Sequence, residues 1–236
     1  MLNRRVPKIV DAEARRQDVV DAVLRIIAVD GLERASLREV ADEAGLAVGS
    51  VRHYFAGSDE LLLYSFTTVV ERIVGRLEAA LPAVHARTPN SPAHRAAVLT
   101  LLSEFLPLDE QRAMDACAWA AFRNAARIRP FLAGVADRSH REVAVVVGGV
   151  ISTLLPDDEP QQTLVVEAER LLATLDGLCM HALLQPVWMT AGMCADVLER
   201  HLDGLAPSNG TDAGVNVGVE REYTDNRGTG PDQQTR

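Results

Sequence analysis

Aromatic side chains make up only 4% of the 236 residues, too few for a stacking platform on single-stranded nucleic acid. Basic residues are also outnumbered, 24 Lys and Arg against 33 Asp and Glu, for a net charge of −9. The chain is no polycation, so any nucleic-acid contact must come from a local patch. Cysteine is scarce and odd in number. Cys117, Cys179 and Cys194 form no C-x-x-C pair and sit among apolar neighbours, as expected of reduced, buried thiols in a cytoplasmic protein. Long apolar runs are missing. The longest, Val143 to Leu155, is bounded by Glu142 and Pro156 and falls short of the roughly 20 residues of a membrane span, so no membrane partner is expected. Met1 to Val10 leads into Asp11 and Glu13, not into a hydrophobic export core. There is no H-E-x-x-H, no phosphate-cradling glycine loop, no G-x-S-x-G and no metal-spaced Cys/His cluster, so neither catalysis, cofactor nor metal is expected.

What is present is a folded composition, 47% hydrophobic and 24% charged, with a helical period throughout. Period-two alternation is lacking, which predicts an all-α fold. Val19, Val20, Val23, Leu24 and Ile27 form one face of a helix over about 11–30, with Gly31 placed as its C-terminal cap. Ser36 and Glu39 make a capping-box pattern before a second helix with Leu37, Val40, Ala41 and Ala44 inside. Gly45 ends it, and a very short third helix follows over about 47–55. Two short helices joined at glycine are helix-turn-helix geometry. Ser58-Asp59-Glu60 reads as the cap and acidic first turn of a long fourth helix running to Pro82. Further helices are predicted at 93–106, 109–128, 130–155, 160–185 and 190–204. The expected organisation is a flexible basic arm over 1–10, a three-helix DNA-binding unit over 11–57, a helical regulatory and dimerisation domain over 58–205, and a disordered tail over 206–236.

The stretch Ala35-Ser36-Leu37-Arg38-Glu39-Val40-Ala41-Asp42-Glu43-Ala44-Gly45-Leu46-Ala47-Val48-Gly49-Ser50-Val51-Arg52-His53-Tyr54-Phe55, followed by Ser58-Asp59-Glu60-Leu61-Leu62, resembles the DNA-binding signature of the TetR family of transcriptional repressors. Phe105-Leu106-Pro107-Leu108-Asp109-Glu110, Trp119, Phe122 and Asp176-Gly177-Leu178 with His181-Ala182-Leu183-Leu184 resemble the regulatory domain of the BetI-like subgroup. The sequence departs from the family pattern at Ala47, where Ser or Thr is common as a cap, at Arg52, where Tyr is common, and near Ala56 and Gly57, where Lys is common.

The resemblance implies a ligand-responsive regulator that binds a pseudo-palindromic duplex operator as a homodimer and is released by a small-molecule effector. It assigns base-edge contact to Ala47, Val48, Ser50 and His53, and phosphate contact to Ser36, Arg38, Ser50, Arg52 and Tyr54. Val51 and Phe55 are spaced to face inward. Arg4, Arg5 and Lys8, with no acid before Asp11, are suited to phosphates or a minor groove. Residues 1–57 carry nine basic and nine acidic side chains, so the head is neutral while the remainder holds the whole net negative charge. Phe66, Val70, Phe105, Met114, Cys117, Trp119, Phe122, Asp176, Met180 and His181 are the candidate effector-pocket residues, with Arg123, Asn124 and His140 as further polar groups. Leu171, Leu175, Leu178 and Leu183 in the eighth helix, and Val197, Leu198, His201 and Leu202 in the ninth, are the candidate dimer interface. The competing expectation is a helical dimeric interaction protein that has lost specific DNA binding.

Overall fold

A computed structural model describes residues 12–205. Among these residues the chain forms nine α-helices and no strand: α1 (Ala12–Asp30), α2 (Leu37–Glu43), α3 (Val48–Tyr54), α4 (Ser58–His85), α5 (Pro92–Ser103), α6 (Glu110–Ala126), α7 (Pro130–Leu154), α8 (Gln161–Leu184) and α9 (Ala191–Asp203). The fold is the expected all-α one. No helix among the described residues is long and apolar enough to cross a membrane. The arm bearing Arg4, Arg5 and Lys8, and the segment over 206–236, lie outside the described residues.

Helix ends follow local chemistry. Ser91, Asp109 and Thr190 each accept a backbone N–H from three residues on, capping α5, α6 and α9. Pro92 and Pro130 open their helices, where a missing N–H costs nothing. Gly31 takes φ +85° after α1, and a short 3₁₀ turn, Leu32–Arg34, follows. Two caps differ from expectation. Gly57, not Ser58, precedes α4, and Glu60 instead reaches back to accept from the Ala56 N–H at 2.6 Å. Ser36 accepts from the Glu39 N–H at 3.3 Å, but Glu39 does not return the bond: the Ser36 N–H donates to the Arg34 carbonyl at 2.7 Å, and the Glu39 carboxylate lies 3.5 Å from Arg34. Helix α4 also continues past Pro82 to His85, since a proline one turn from the end removes few ladder bonds.

The helices pack into two apolar cores that share α4. One joins α1, α2, α3 and the first half of α4 to Ala118, Phe122 and Ala125 of α6 and Leu132 and Val135 of α7. The other joins Leu77 and Val84 of α4 to α5, the second half of α7, α8 and α9. Helix α4 spans 28 residues, about 42 Å at 1.5 Å per residue, so a single rod belongs to both cores.

Candidate DNA interface and effector cavity

The recognition element is built from its turn. Gly45 sits at φ +65°, a conformation that side-chain-bearing residues adopt only with strain. The chain reverses there, with the Leu46 N–H donating to the Ala41 carbonyl at 2.8 Å. Ala47 occupies the cap position of α3 with extended backbone and offers no side-chain acceptor. Val51 and Phe55 are both 0% exposed and fix one side of α3 to the core. Phe55 lies against Tyr64 of α4, with ring centroids 5.5 Å apart. The Arg16 guanidinium covers both rings, at 5.2 and 4.6 Å, and the Tyr64 hydroxyl donates to Glu13 at 2.8 Å. That bond raises the Tyr64 pKa above its ordinary value, since deprotonation would place two anions together.

The opposite side of α3 is therefore open. Ala47, Ser50, Arg52 and His53 are exposed, Val48 and Tyr54 are half-buried, and Ser36 and Arg38 are exposed at the start of α2. Arg38 and Arg52 have no ion-pair partner among the described residues. Nearby arginines do: Arg25 pairs with Glu43 at 2.7 Å and Arg34 with Glu39. Two exposed arginines without an ion-pair partner among the described residues thus stand on α2 and α3, although the head as a whole is neutral.

A cavity of about 220 Å³ lies between α4, α6, α7 and α8. Of the expected pocket residues, Phe105, Trp119 and Asp176 line it, and so do Arg123 and His140. The others do not. Phe66, Val70 and Phe122 belong to the core beneath the head, where Phe66 and Phe122 stack with centroids 5.0 Å apart. Met114, Cys117 and Met180 line a separate surface groove between α1, α6 and the end of α8. His181 and Asn124 are exposed and line neither space. An apolar residue on a helix carries no mark of which of two cores it enters, hence the misplacement. The cavity also holds residues the sequence reading missed, notably Arg76, Glu104, Arg112 and Glu169. A readable signal existed: Arg72 and Arg76, four apart on apolar α4, face an aspartate in the middle of α6.

That aspartate, Asp115, is fully buried. It accepts from Arg76 at 2.7 Å and from Gln111 at 3.0 Å, and Arg72 lies 3.5 Å away. Arg72 also donates to Asp21 of α1 at 2.6 Å. Charged groups thus run without a break from the cavity wall to the first helix of the head. All three cysteines are free, and burial pushes the Cys179 thiol up to about 12, which leaves it inert.

The expected dimer residues are mostly spent inside the chain. Leu171, Leu175, Leu178, Leu198 and Leu202 are buried in the chain's own core, and Leu183, Val197 and His201 are half-buried. His201 Nδ1 lies 3.1 Å from the Thr174 hydroxyl. The apolar stripe on these helices is their inner face. A second apolar row on α8, Val166, Ala173, Met180 and Leu184, spaced seven, seven and four residues apart, is exposed, and it borders the cavity at Ala173 and the surface groove at Met180 and Leu184. Beyond it Val187 and Trp188 are 94% and 72% exposed.

Comparison with known proteins gives consistent matches. Residues 19–64 match the family described as bacterial regulatory proteins, tetR family, and residues 92–207 match the BetI-type transcriptional repressor C-terminal family. The HTH-type transcriptional regulator PksA of Bacillus subtilis is 34% identical over 202 residues, covering 85% of this chain and 94% of that protein. A transcriptional regulator from Rhodococcus sp. Rha1 is 27% identical, with a TM-score of 0.68 over 80% of this chain and 95% of the other. The multidrug binding protein EbrR complexed with ethidium is 27% identical, with a TM-score of 0.56 over 79% of this chain and 98% of the other.

Proposed function

The chain belongs to the TetR family of transcriptional regulators, and from that premise we propose that it is a homodimeric repressor which binds a pseudo-palindromic operator and releases it when a small molecule fills the α4–α8 cavity. The observation that carries this reading is the two-sidedness of α3. Val51 and Phe55 anchor it while Arg52 and His53 stand exposed, with Arg52 lacking an ion-pair partner among the described residues. In a major groove, His53 donates to a base edge with Ser50 alongside, and Ala47 and Val48 meet thymine methyls. Arg52, Arg38, Ser36 and Tyr54 hold phosphates, and Arg52 does so with a charge-assisted contact. The arm bearing Arg4, Arg5 and Lys8 adds phosphate or minor-groove contact.

Two heads on a two-fold axis meet two half-sites about 34 Å apart. The exposed apolar row of α8, with Leu184 and Trp188 at its end, is the surface that pairs the protomers. An exposed aromatic anchor beside an apolar row is typical interface chemistry. The cavity and the head share the ion-pair chain through Arg76, Asp115, Arg72 and Asp21, so an occupant that prefers one arrangement of α4 and α6 shifts the head by its differential affinity. The EbrR complex supports a ligand role for the body, since a relative of this fold holds a small molecule.

A gel shift with DNA from upstream of its own gene, at stated salt, tests the reading. Arg52→Ala should weaken all complexes and reduce the salt slope by about one, whereas His53→Ala should alter sequence preference. If both bind as the parent does, α3 is not the reading element. Leu184→Glu should convert the dimer to monomer in sedimentation and abolish operator binding. An unchanged dimer would remove the α8 stripe from the interface.

A further inference from the structure

The cavity's polar groups restrict what it can hold, and the inference here rests on reading it as the effector site. The Arg123 guanidinium lies over the Trp119 ring at 4.3 Å, and its Nη1 donates to Asp176 at 3.1 Å across from α6 to α8. The indole is itself fixed, because its N–H donates to Ser139 at 3.1 Å. An aromatic face beside a carboxylate is what an organic cation requires. Here the chain's own guanidinium fills that place, and a tethered group competes at an effective concentration in the millimolar range or above. A cationic ligand is therefore disfavoured.

An anion fares no better. The other cavity arginines are already neutralised, Arg76 by Asp115 at 2.7 Å and Arg112 by Asp109 at 2.6 Å, with Glu104 3.4 Å from Arg112. Glu169, an exposed lining residue without an ion-pair partner among the described residues, adds negative charge that repels an anion. An anion brought into this largely apolar space would lose hydration and find each lining arginine already paired with a carboxylate. Hydrogen bonding is different. Arg123 has five N–H donors, and among the described residues it has one acceptor. We propose that the cavity selects a neutral, largely apolar small molecule whose carbonyl-type oxygen accepts from Arg123, with Arg123 as the specificity-determining residue.

Four probes of similar size test this by isothermal titration calorimetry on the full chain: benzylacetone, butylbenzene, hydrocinnamate and phenethyltrimethylammonium. Benzylacetone should bind, and each of the others should bind about tenfold or more weakly. Arg123→Met should lower affinity for benzylacetone about tenfold and leave butylbenzene unchanged. Arg123 is a third exposed and outside both cores, so the variant should fold. Arg123→Ala should instead gain affinity for the ammonium probe, about tenfold, because the Trp119 face and Asp176 become free. The proposal is overturned if either charged probe binds the parent as tightly as benzylacetone, if Arg123→Met leaves benzylacetone affinity unchanged, or if no probe binds. The same probes added to the complex with upstream DNA separate the two readings. Benzylacetone that binds as expected without releasing DNA leaves the ligand class standing and removes the effector role. A charged probe that releases DNA does the reverse.

Discussion

Replacing Asp115 with asparagine should cost far more stability than its single charge suggests. The side chain is fully buried and accepts from Arg76 and Gln111, with Arg72 close by. Asparagine keeps the shape, but it removes the counter-charge and turns an N–H donor toward a guanidinium. Removing one partner of a buried ion pair costs roughly 3–5 kcal/mol when the other charge is left dry. Here the arginine side chains remain 25% and 26% exposed and can recover some hydration, so about 2–3 kcal/mol is expected. For a chain of this size that lowers the melting temperature by about 5–10 °C. Asp21→Asn is the internal control. It breaks the Arg72 bond at 2.6 Å, but Asp21 is 40% exposed, and its loss should cost below about 1 kcal/mol. Urea unfolding of both variants, with unchanged slopes, is the measurement. If Asp115→Asn costs no more than Asp21→Asn, the buried carboxylate does not hold α4 to α6 and the reasoning fails.

Phe122→Ala, which removes a fully buried ring stacked on Phe66, should cost about 3–5 kcal/mol while leaving probe affinity in the cavity unaltered. A changed affinity with intact stability would return Phe122 to the pocket. Gly45→Ala should cost about 1–2 kcal/mol from the backbone alone, because φ is +65° and nothing lies within 4 Å of an added Cβ. His94 is buried, its Nδ1 accepts from the Asn90 N–H at 3.3 Å, and burial, with His85 adding, lowers its pKa below 6.5. The unfolded chain then takes up the proton first, so stability is full above about pH 6.5 and falls as pH drops below it. Burial also lowers the His201 pKa, so His94→Gln should flatten the pH profile of urea midpoints only in part. An unflattened profile would show that His94 titrates alike in the folded and unfolded chain.

The sequence was most informative where one residue has one physical option. Gly45 had to admit a left-handed turn, and Val51 and Phe55, four apart in a seven-residue helix and its C-terminal cap, had to share one buried side. Proline and capping residues likewise marked most helix ends. Legibility failed where a residue's chemistry allows several partners. The stripe through Leu171, Leu175 and Leu178 was correctly apolar, but periodicity does not say whether such a face meets its own chain or another copy. Phe66 and Phe122 were legible as core and not as to which core. Arg76 and Arg112 escaped notice because ordinary charged residues become cavity walls only when distant helices converge.

The stacking of Phe66 on Phe122 also bears on engineering. The reading head does not rest on its own hydrophobic support, since part of that support is supplied by α6 and α7, far along the chain. A chimaera that swaps the first three helices onto a foreign sensor would leave Val20, Leu24 and Phe55 without their floor. Exchange of specificity between relatives should succeed only when the cut carries the corner around Phe122 and Leu132 with the head, or when the recipient already presents matching volume there.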